Sequence, residues 1–206
     1  MADTVQKSQR RHGLESVIGS LPGSESSGSM QLRVSAPRTQ INLRGDASKE
    51  TFVAAVAAAL EQALPLTANT CTSAAQRIYW LGPNEWLICS ESADAHTLLK
   101  KLHAALAGEV YALTDVSAGQ VRLQLSGDAA RHVLARGCTL DFDPAVFGTG
   151  QCAQSGLAKA TALIALHDET PCVEIMVRRS FADYVLRWLN HAGREYGLKV
   201  QEMPLD

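Results

Sequence analysis

The chain has 206 residues, 46% hydrophobic and 19% charged, enough for one large domain or two small ones with a proper core. Nineteen basic against twenty-one acidic residues leave a net charge of -2, which gives no reason to expect nucleic acid or an anionic membrane as a bulk partner. No apolar run approaches the roughly 20 residues of a bilayer span, and Lys7, Arg10, Arg11 and His12 lead into no apolar signal segment, so a cytoplasmic protein is expected.

Residues 1–29 read as a flexible N-terminal tail. The stretch from Ser20 to Ser29 is rich in Ser, Gly and Pro and cannot bury enough apolar surface to offset chain entropy. Leu14, Val17, Ile18 and Leu21 stand at near-helical spacing, to pack either on a partner groove or on the chain's own domain. From residue 30 the periods sharpen. Gln31–Val34 and Gln40–Arg44 alternate as strands. After the turn Gly45–Ser48, the alanine-rich run Lys49–Leu64 repeats apolar residues at three and four and predicts a helix ended by Pro65. Strands at Arg77–Leu81 and Trp86–Cys89 flank a tight Gly82-Pro83-Asn84-Glu85 hairpin, which sets Trp80 beside Trp86. Ser92 or Asp94 caps a helix from Ala95 to Leu106, stopped by Gly108.

The second half repeats this order. Val110–Leu113 and Gln120–Leu125 predict strands, followed by a helix reaching Arg136. Leu157–Leu166 and Cys172–Val177 predict two strands joined by residues 167–171. Ser180 is expected to cap a last helix with Phe181, Tyr184, Val185, Trp188 and Leu189 on its apolar face. Ile41-Asn-Leu-Arg-Gly-Asp-Ala-Ser48 matches Leu123-Gln-Leu-Ser-Gly-Asp-Ala-Ala130, so the Gly-Asp-Ala triplets lie 82 residues apart. The expected domain, 30–200, is therefore a pseudo-repeat of 30–108 and 109–200. Its class is α+β: two β-α-β-β-α-like halves with antiparallel or mixed sheets, sharing one core or forming two lobes.

Candidate chemistry is sparse. Cys71, Cys89, Cys138, Cys152 and Cys172 are odd in number and scattered, and are expected to be buried, reduced thiols. Gly148-Thr-Gly-Gln-Cys-Ala153 fits GxGxxA, with Asp168 twenty residues on, but an extended segment rather than a helix follows it, so a dinucleotide site is not expected. His12, His96, His103, His132, His167 and His191 complete no metal-ligand pattern and read as solvated. Thr114-Asp115-Val-Ser117 sets an acid beside a hydroxyl, which is also ordinary turn chemistry. Arg178 and Arg179 face solvent or a partner in this reading. No catalytic, cofactor-binding or metal-ligating residue is assigned, which suits binding or assembly better than catalysis.

The run from Thr114 to Asp141, with Cys152-Ala-Gln154, Leu157-Ala-Lys159, Arg179–Leu189 and Trp80-Leu-Gly-Pro-Asn-Glu-Trp-Leu87, resembles the gamma subunit of heterotetrameric sarcosine oxidase over roughly residues 30–197. The strand–Ser-Gly-Asp-Ala–helix segment looks more distantly like the folate-binding domain of glycine-cleavage aminomethyltransferases. The resemblance implies that fold. It implies a structural, non-catalytic subunit of an enzyme that demethylates sarcosine to glycine and passes the one-carbon unit to tetrahydrofolate. It also implies that FAD, FMN, NAD, zinc and tetrahydrofolate are held by other subunits. The implied partners are the alpha, beta and delta subunits, with alpha in direct contact. No folate-binding residue carries over; Asp115 is the one loose candidate. A stand-alone folate-binding or aminomethyltransferase-like protein is the alternative. The subunit reading further predicts an exposed apolar patch of several hundred Å2, as partner surfaces carry.

Overall fold

The structure, a computed structural model, describes residues 14–21, 29–35, 38–74, 76–91, 94–167 and 172–202. Most of the expected tail, the alternative cap Ser92, His12 and Asp168 lie outside the described residues. The first half runs α1 (Glu15–Ser20), β1 (Gln31–Val34), β2 (Thr39–Gly45), α2 (Glu50–Leu60), β3 (Gln76–Gly82), β4 (Glu85–Ser90) and α3 (Ala95–Ala105). The second runs β5 (Tyr111–Asp115), β6 (Gln120–Ser126), α4 (Ala130–Ala135), β7 (Cys152–Leu157), β8 (Ala160–Leu166), β9 (Cys172–Arg178), α5 (Ala182–Ala192) and β10 (Lys199–Glu202).

The layering follows from strands that are buried on both faces. In β4, Trp86 and Ile88 meet a core shared with α2 and α3, whereas Leu87 and Cys89 meet a second core on the opposite face. In β9, Val173, Ile175 and Val177 join α4 and α5, whereas Met176 enters that same second core. A strand apolar on both sides must be covered on both sides. The result is helices, sheet, sheet, helices. One sheet has the order β10-β1-β6-β9-β8-β7 and the other β3-β4-β2-β5. Among the described residues only β1 and β10 pair in parallel, so the first sheet is mixed and the second antiparallel. The α+β class is as expected.

The two sheets share a strand order. β3-β4-β2-β5 and β8-β9-β6-β1 are the same antiparallel arrangement. In each, the last strand precedes the central strand of the other sheet: β1 leads into β2 but pairs with β6, and β5 leads into β6 but pairs with β2. The two halves are thereby interlocked through exchanged strands.

Several local expectations are corrected. The helix predicted over 49–64 ends at Leu60, because Glu61 takes a left-handed conformation (φ 55°). This turn brings Leu64 back into the core and sets the Pro65 carbonyl 2.8 Å from the Trp86 indole N–H, which donates to it. The strand predicted over 157–166 begins only at Ala160, as β8; Leu157 instead ends β7, a strand not expected, and faces Ala160 across a turn at Ala158-Lys159. Ala158 holds φ 53°, a conformation that glycine or asparagine would have advertised and alanine does not. Ser180 makes no side-chain cap. A single 3-10 turn, Arg179–Phe181, leads into α5 instead. Phe181 and Tyr184 then fall outside the buried stripe, 42% and 38% exposed, while Val185, Leu186 and Leu189 fill it. The other exposed large apolar side chains among the described residues, Leu66, Val110 and Val146, lie on three separate segments. Leu14 and Leu21 of the N-terminal cluster pack on the chain's own core, with Val17 and Ile18 against it.

The repeated Gly-Asp-Ala serves two different packings. Gly127 needs its backbone freedom, at φ 116°. Gly45 needs its lack of a side chain, since a Cβ there would lie 2.2 Å from the Phe52 ring. Gly45→Ala is expected to destabilise the fold by about 1–3 kcal/mol, the range for overpacking. Gly156→Ala, where an added Cβ meets nothing within 4 Å, is expected to stay within about 0.5 kcal/mol of the parent. Urea unfolding of the two variants checks the contrast.

Candidate functional site

The inter-sheet layer holds the chain's unusual chemistry. Register sets it there. Arg77 pairs with Cys89, and Arg122 with Met176, so both arginines share the face of residues in the inter-sheet core. Glu174 lies two residues before Met176, on the same face of β9, and is 1% exposed. Arg77 reaches across from the other sheet and donates to its Oε2 at 2.7 Å. Arg122 lies 3.6 Å from the same oxygen. The Tyr79 hydroxyl donates to Oε1, and His167 Nε2 stands 3.5 Å from it. Glu91, at the end of β4, answers from the opposite sheet: its Oε1 accepts from Arg122 at 3.0 Å and lies 3.8 Å from Arg77.

This pairing sets the protonation states. Burial alone would raise the Glu174 carboxyl, but the His167 hydrogen bond and the charges of Arg122, His167 and Arg77 outweigh it and hold it at about 2. Burial would lower His167. Contacts with Cys71 and Glu174 prevail and lift it to about 9. Tyr79 is pushed well up, first by burial and then by the Glu174 charge beside it. At neutral pH the layer is an ionised Glu174 enclosed by two guanidiniums, an imidazolium and a phenol. Every one of these groups is engaged with another, an arrangement that clamps the two sheets together.

The residues singled out in the sequence lie elsewhere or play other parts. Asp115 is exposed and accepts hydrogen bonds from the Ser117 backbone N–H and hydroxyl, which is turn chemistry. Gly148–Gly150 turns into strand β7, with Gly150 at φ 78°, so no helix N-terminus faces a phosphate there. Arg178, Arg179, His96, His132 and His191 are exposed. His103, also exposed, meets the Tyr111 hydroxyl at 2.8 Å. His167 is the correction: it is not solvated but 13% exposed and paired with Glu174. Trp80 does face Trp86 across the hairpin, with Trp86 fully buried. None of the five cysteines is in a disulfide. Among the described residues no group of three or more His, Cys, Asp or Glu side chains is placed to hold a metal ion, and no helix is long and apolar enough to cross a membrane.

A separate open cleft of about 800 Å3 lies at the far end of the four-stranded sheet, lined by Arg44, Asp46, Lys49, Asn84, Glu85 and Tyr111 among others. Much of its polar lining is already engaged. Arg44 and Asn42 both donate to Glu85, Asn84 accepts from the Ala47 N–H, and Asp46 accepts from Ser48.

Sequence reading missed Glu174, Arg77, Arg122, Tyr79 and His167 as a set. The available signal was a lone glutamate inside the apolar run Cys172–Val177. Glu174→Gln, which leaves the buried Arg122 and the half-buried Arg77 short of a partner, is expected to destabilise by about 3–5 kcal/mol. Stability should also follow pH. Glu174 is depressed, so its contribution is present above its ordinary 4.5 and is lost as pH falls toward about 2. His167 is raised, so its contribution is complete below its ordinary 6.5 and is lost as pH rises through about 9. Urea midpoints measured across pH should therefore fall on both sides of a window from about 4.5 to about 6.5. A His167→Gln variant should lose the alkaline decline between 6.5 and 9.

Residues 44–195 match the family described as "Sarcosine oxidase, gamma subunit family". A sarcosine oxidase subunit gamma from Corynebacterium sp. (strain P-1) is 33% identical over 193 residues, spanning 92% of each chain. One from Arthrobacter sp. is 31% identical over 191 residues, again 92% of each. Among solved structures, a chain of the heterotetrameric sarcosine oxidase from Corynebacterium sp. U-96 superposes with a TM-score of 0.83 at 31% identity, covering 91% of this chain and 96% of that one. The glycine cleavage system aminomethyltransferase T from Bartonella henselae superposes at 0.60 and 16% identity, covering 88% of this chain and 50% of that one, which is a likeness of fold. Sequence and fold agree along nearly the whole chain, and the protein belongs to the sarcosine oxidase gamma subunit family.

Proposed function

We propose that this chain is the structural gamma subunit of a heterotetrameric sarcosine oxidase and contributes no catalytic group of its own. One observation carries the reading: a subunit-length likeness at a TM-score of 0.83 to a chain of such an enzyme, covering 96% of that chain. The inter-sheet cluster supports the second half. Glu174 is enclosed by its own partners and is 1% exposed, so it serves to hold two sheets rather than to meet a substrate.

In this reading the assembled enzyme demethylates sarcosine oxidatively to glycine and passes the one-carbon unit to tetrahydrofolate. FAD, FMN, NAD, zinc and tetrahydrofolate are held by the other subunits. The partners are the alpha, beta and delta subunits in the cytoplasm, with alpha in direct contact. The scaffold, shared with an aminomethyltransferase, is kept for assembly.

Co-expression with the alpha, beta and delta subunits is expected to recover a stoichiometric four-subunit complex through a tag on this chain. A tagged chain that purifies alone would sink the assignment. Calorimetry of the isolated chain separates the alternative: no heat with tetrahydrofolate is expected, and saturable binding would favour a stand-alone folate-binding protein.

A further inference from the structure

The two sheets can be matched strand by strand, and one edge then lacks its cover. In the six-stranded sheet, β1 pairs with β6 on one side and with β10 on the other. Its counterpart in the four-stranded sheet, β5, pairs with β2 on one side and, among the described residues, with no strand on the other. The counterparts agree down to a hydrogen bond. Gln40 and Arg122 each stand one residue before the matching runs that begin at Ile41 and Leu123. The Val116 N–H donates to the Gln40 carbonyl and the Ser35 N–H to the Arg122 carbonyl, both at 2.9 Å. By register, Leu113 then corresponds to Leu32 and Tyr111 to Met30. Alternation fixes which backbone groups look outward. Val116 bonds to β2, so Thr114 and Ala112 turn their N–H and C=O to β2 as well, and those of Leu113 and Tyr111 point away. On the β1 edge the same positions are taken. The Met30 carbonyl accepts from the Lys199 N–H at 3.0 Å, and Leu32 lies opposite Val200 in parallel register.

The missing cover shows in the burial. Met30 and Leu32 are 0% exposed, whereas Tyr111 and Leu113 are only half-buried and Val110, just ahead of β5, is 80% exposed. The remaining edges are closed or blunted. The segment Asn69–Thr72 joins β3 to β7, with the Trp80 N–H donating to the Thr70 carbonyl and the Cys152 N–H to the Asn69 carbonyl. β10 is four residues long, carries Lys199 and Glu202, and packs beside α1. β5 has none of these protections. Tyr111–Asp115 contains no proline, glycine or lysine, and its pairing with β2 runs without a bulge.

We propose that the outer edge of β5 is an assembly site that takes an extended segment of a partner subunit as an added strand, parallel to β5 as β10 is to β1. The outward N–H and C=O groups of Tyr111 and Leu113 hold its backbone, and an apolar side chain of the segment lies beside Leu113 as Val200 lies beside Leu32. A second copy of this chain is the poorer occupant. Two copies joined at β5 about a two-fold axis normal to the sheet would pair antiparallel, whereas the covered edge of the same plan takes its strand in parallel.

The proposal rests on the assembly proposed above, and the two fail differently. Hydrogen exchange, resolved to single amides by fragmentation, compares the full-length chain alone with the four-subunit complex. The Ala112 and Thr114 N–H groups, bonded to β2, are expected to exchange slowly in both. Those of Tyr111 and Leu113 are expected to exchange fast in the free chain and to slow by about tenfold or more on assembly. A photo-crosslinking residue in place of the exposed Ala112 is expected to link to a partner subunit. Unchanged exchange at Leu113 in an intact complex overturns the added strand and leaves the assembly standing. A crosslink to a second copy of this chain overturns the choice of occupant. A chain that purifies without partners overturns both readings. Leu113→Pro removes an outward N–H and spares the bonds to β2, so it is expected to weaken capture by the partners about tenfold. Unchanged capture with the fold intact by circular dichroism counts against the site, and the wild-type exchange pattern decides if the variant misfolds.

Discussion

The contact on which the rest of the architecture depends is the Glu174 carboxylate between two sheets. Both faces of each sheet are covered, one by helices and one by the other sheet. A purely apolar inter-sheet layer would allow many sliding arrangements of similar energy. A buried carboxylate restricts the choice, because it is tolerated only where guanidiniums and hydrogen-bond donors meet it. Arg77 and Tyr79 come from one sheet, and Arg122 and His167 from the other. Glu91 completes a reciprocal set, in which an acid from each sheet is held by an arginine of the opposite one. The cluster contributes registry more than net stability.

The exchanged strands work in the same direction. β1 and β5 each complete the sheet built mainly by the other half of the chain. Two halves of this plan could have folded as two separate lobes. Exchange makes the halves depend on each other, and it forces the sheets to stack so that short connections can step between them. The ion cluster then sits where the exchange brings the sheets face to face.

Both oxygens of the Glu174 carboxylate are met by side chains of its own chain. A group held this tightly by its own chain is poorly placed to bind or transform a small molecule, and it suits a scaffold whose task is to present a rigid surface.

The amino-acid order by itself determined most of the elements, though not β7 or β10. Period-two runs at Gln31–Val34 and Gln120–Leu125, the alanine-rich helix after Gly45-Asp46, and the Trp80/Trp86 hairpin were all legible, because local propensity and pattern suffice for them. The family was legible too, through motifs spread over most of the chain. The Ala158 turn was hidden, since a left-handed alanine carries no turn signature. Phe181 and Tyr184 were placed on the wrong face because the 3-10 turn rotates the start of α5. The candidate site belongs wholly to the tertiary structure. Alternation in β6 marks Val121 and Leu123 as inward and Arg122 as outward, but outward here faces a second sheet rather than water. Only the stacking of the sheets, which no local period encodes, turns Arg77, Arg122 and Glu174 from surface residues into a buried ion cluster.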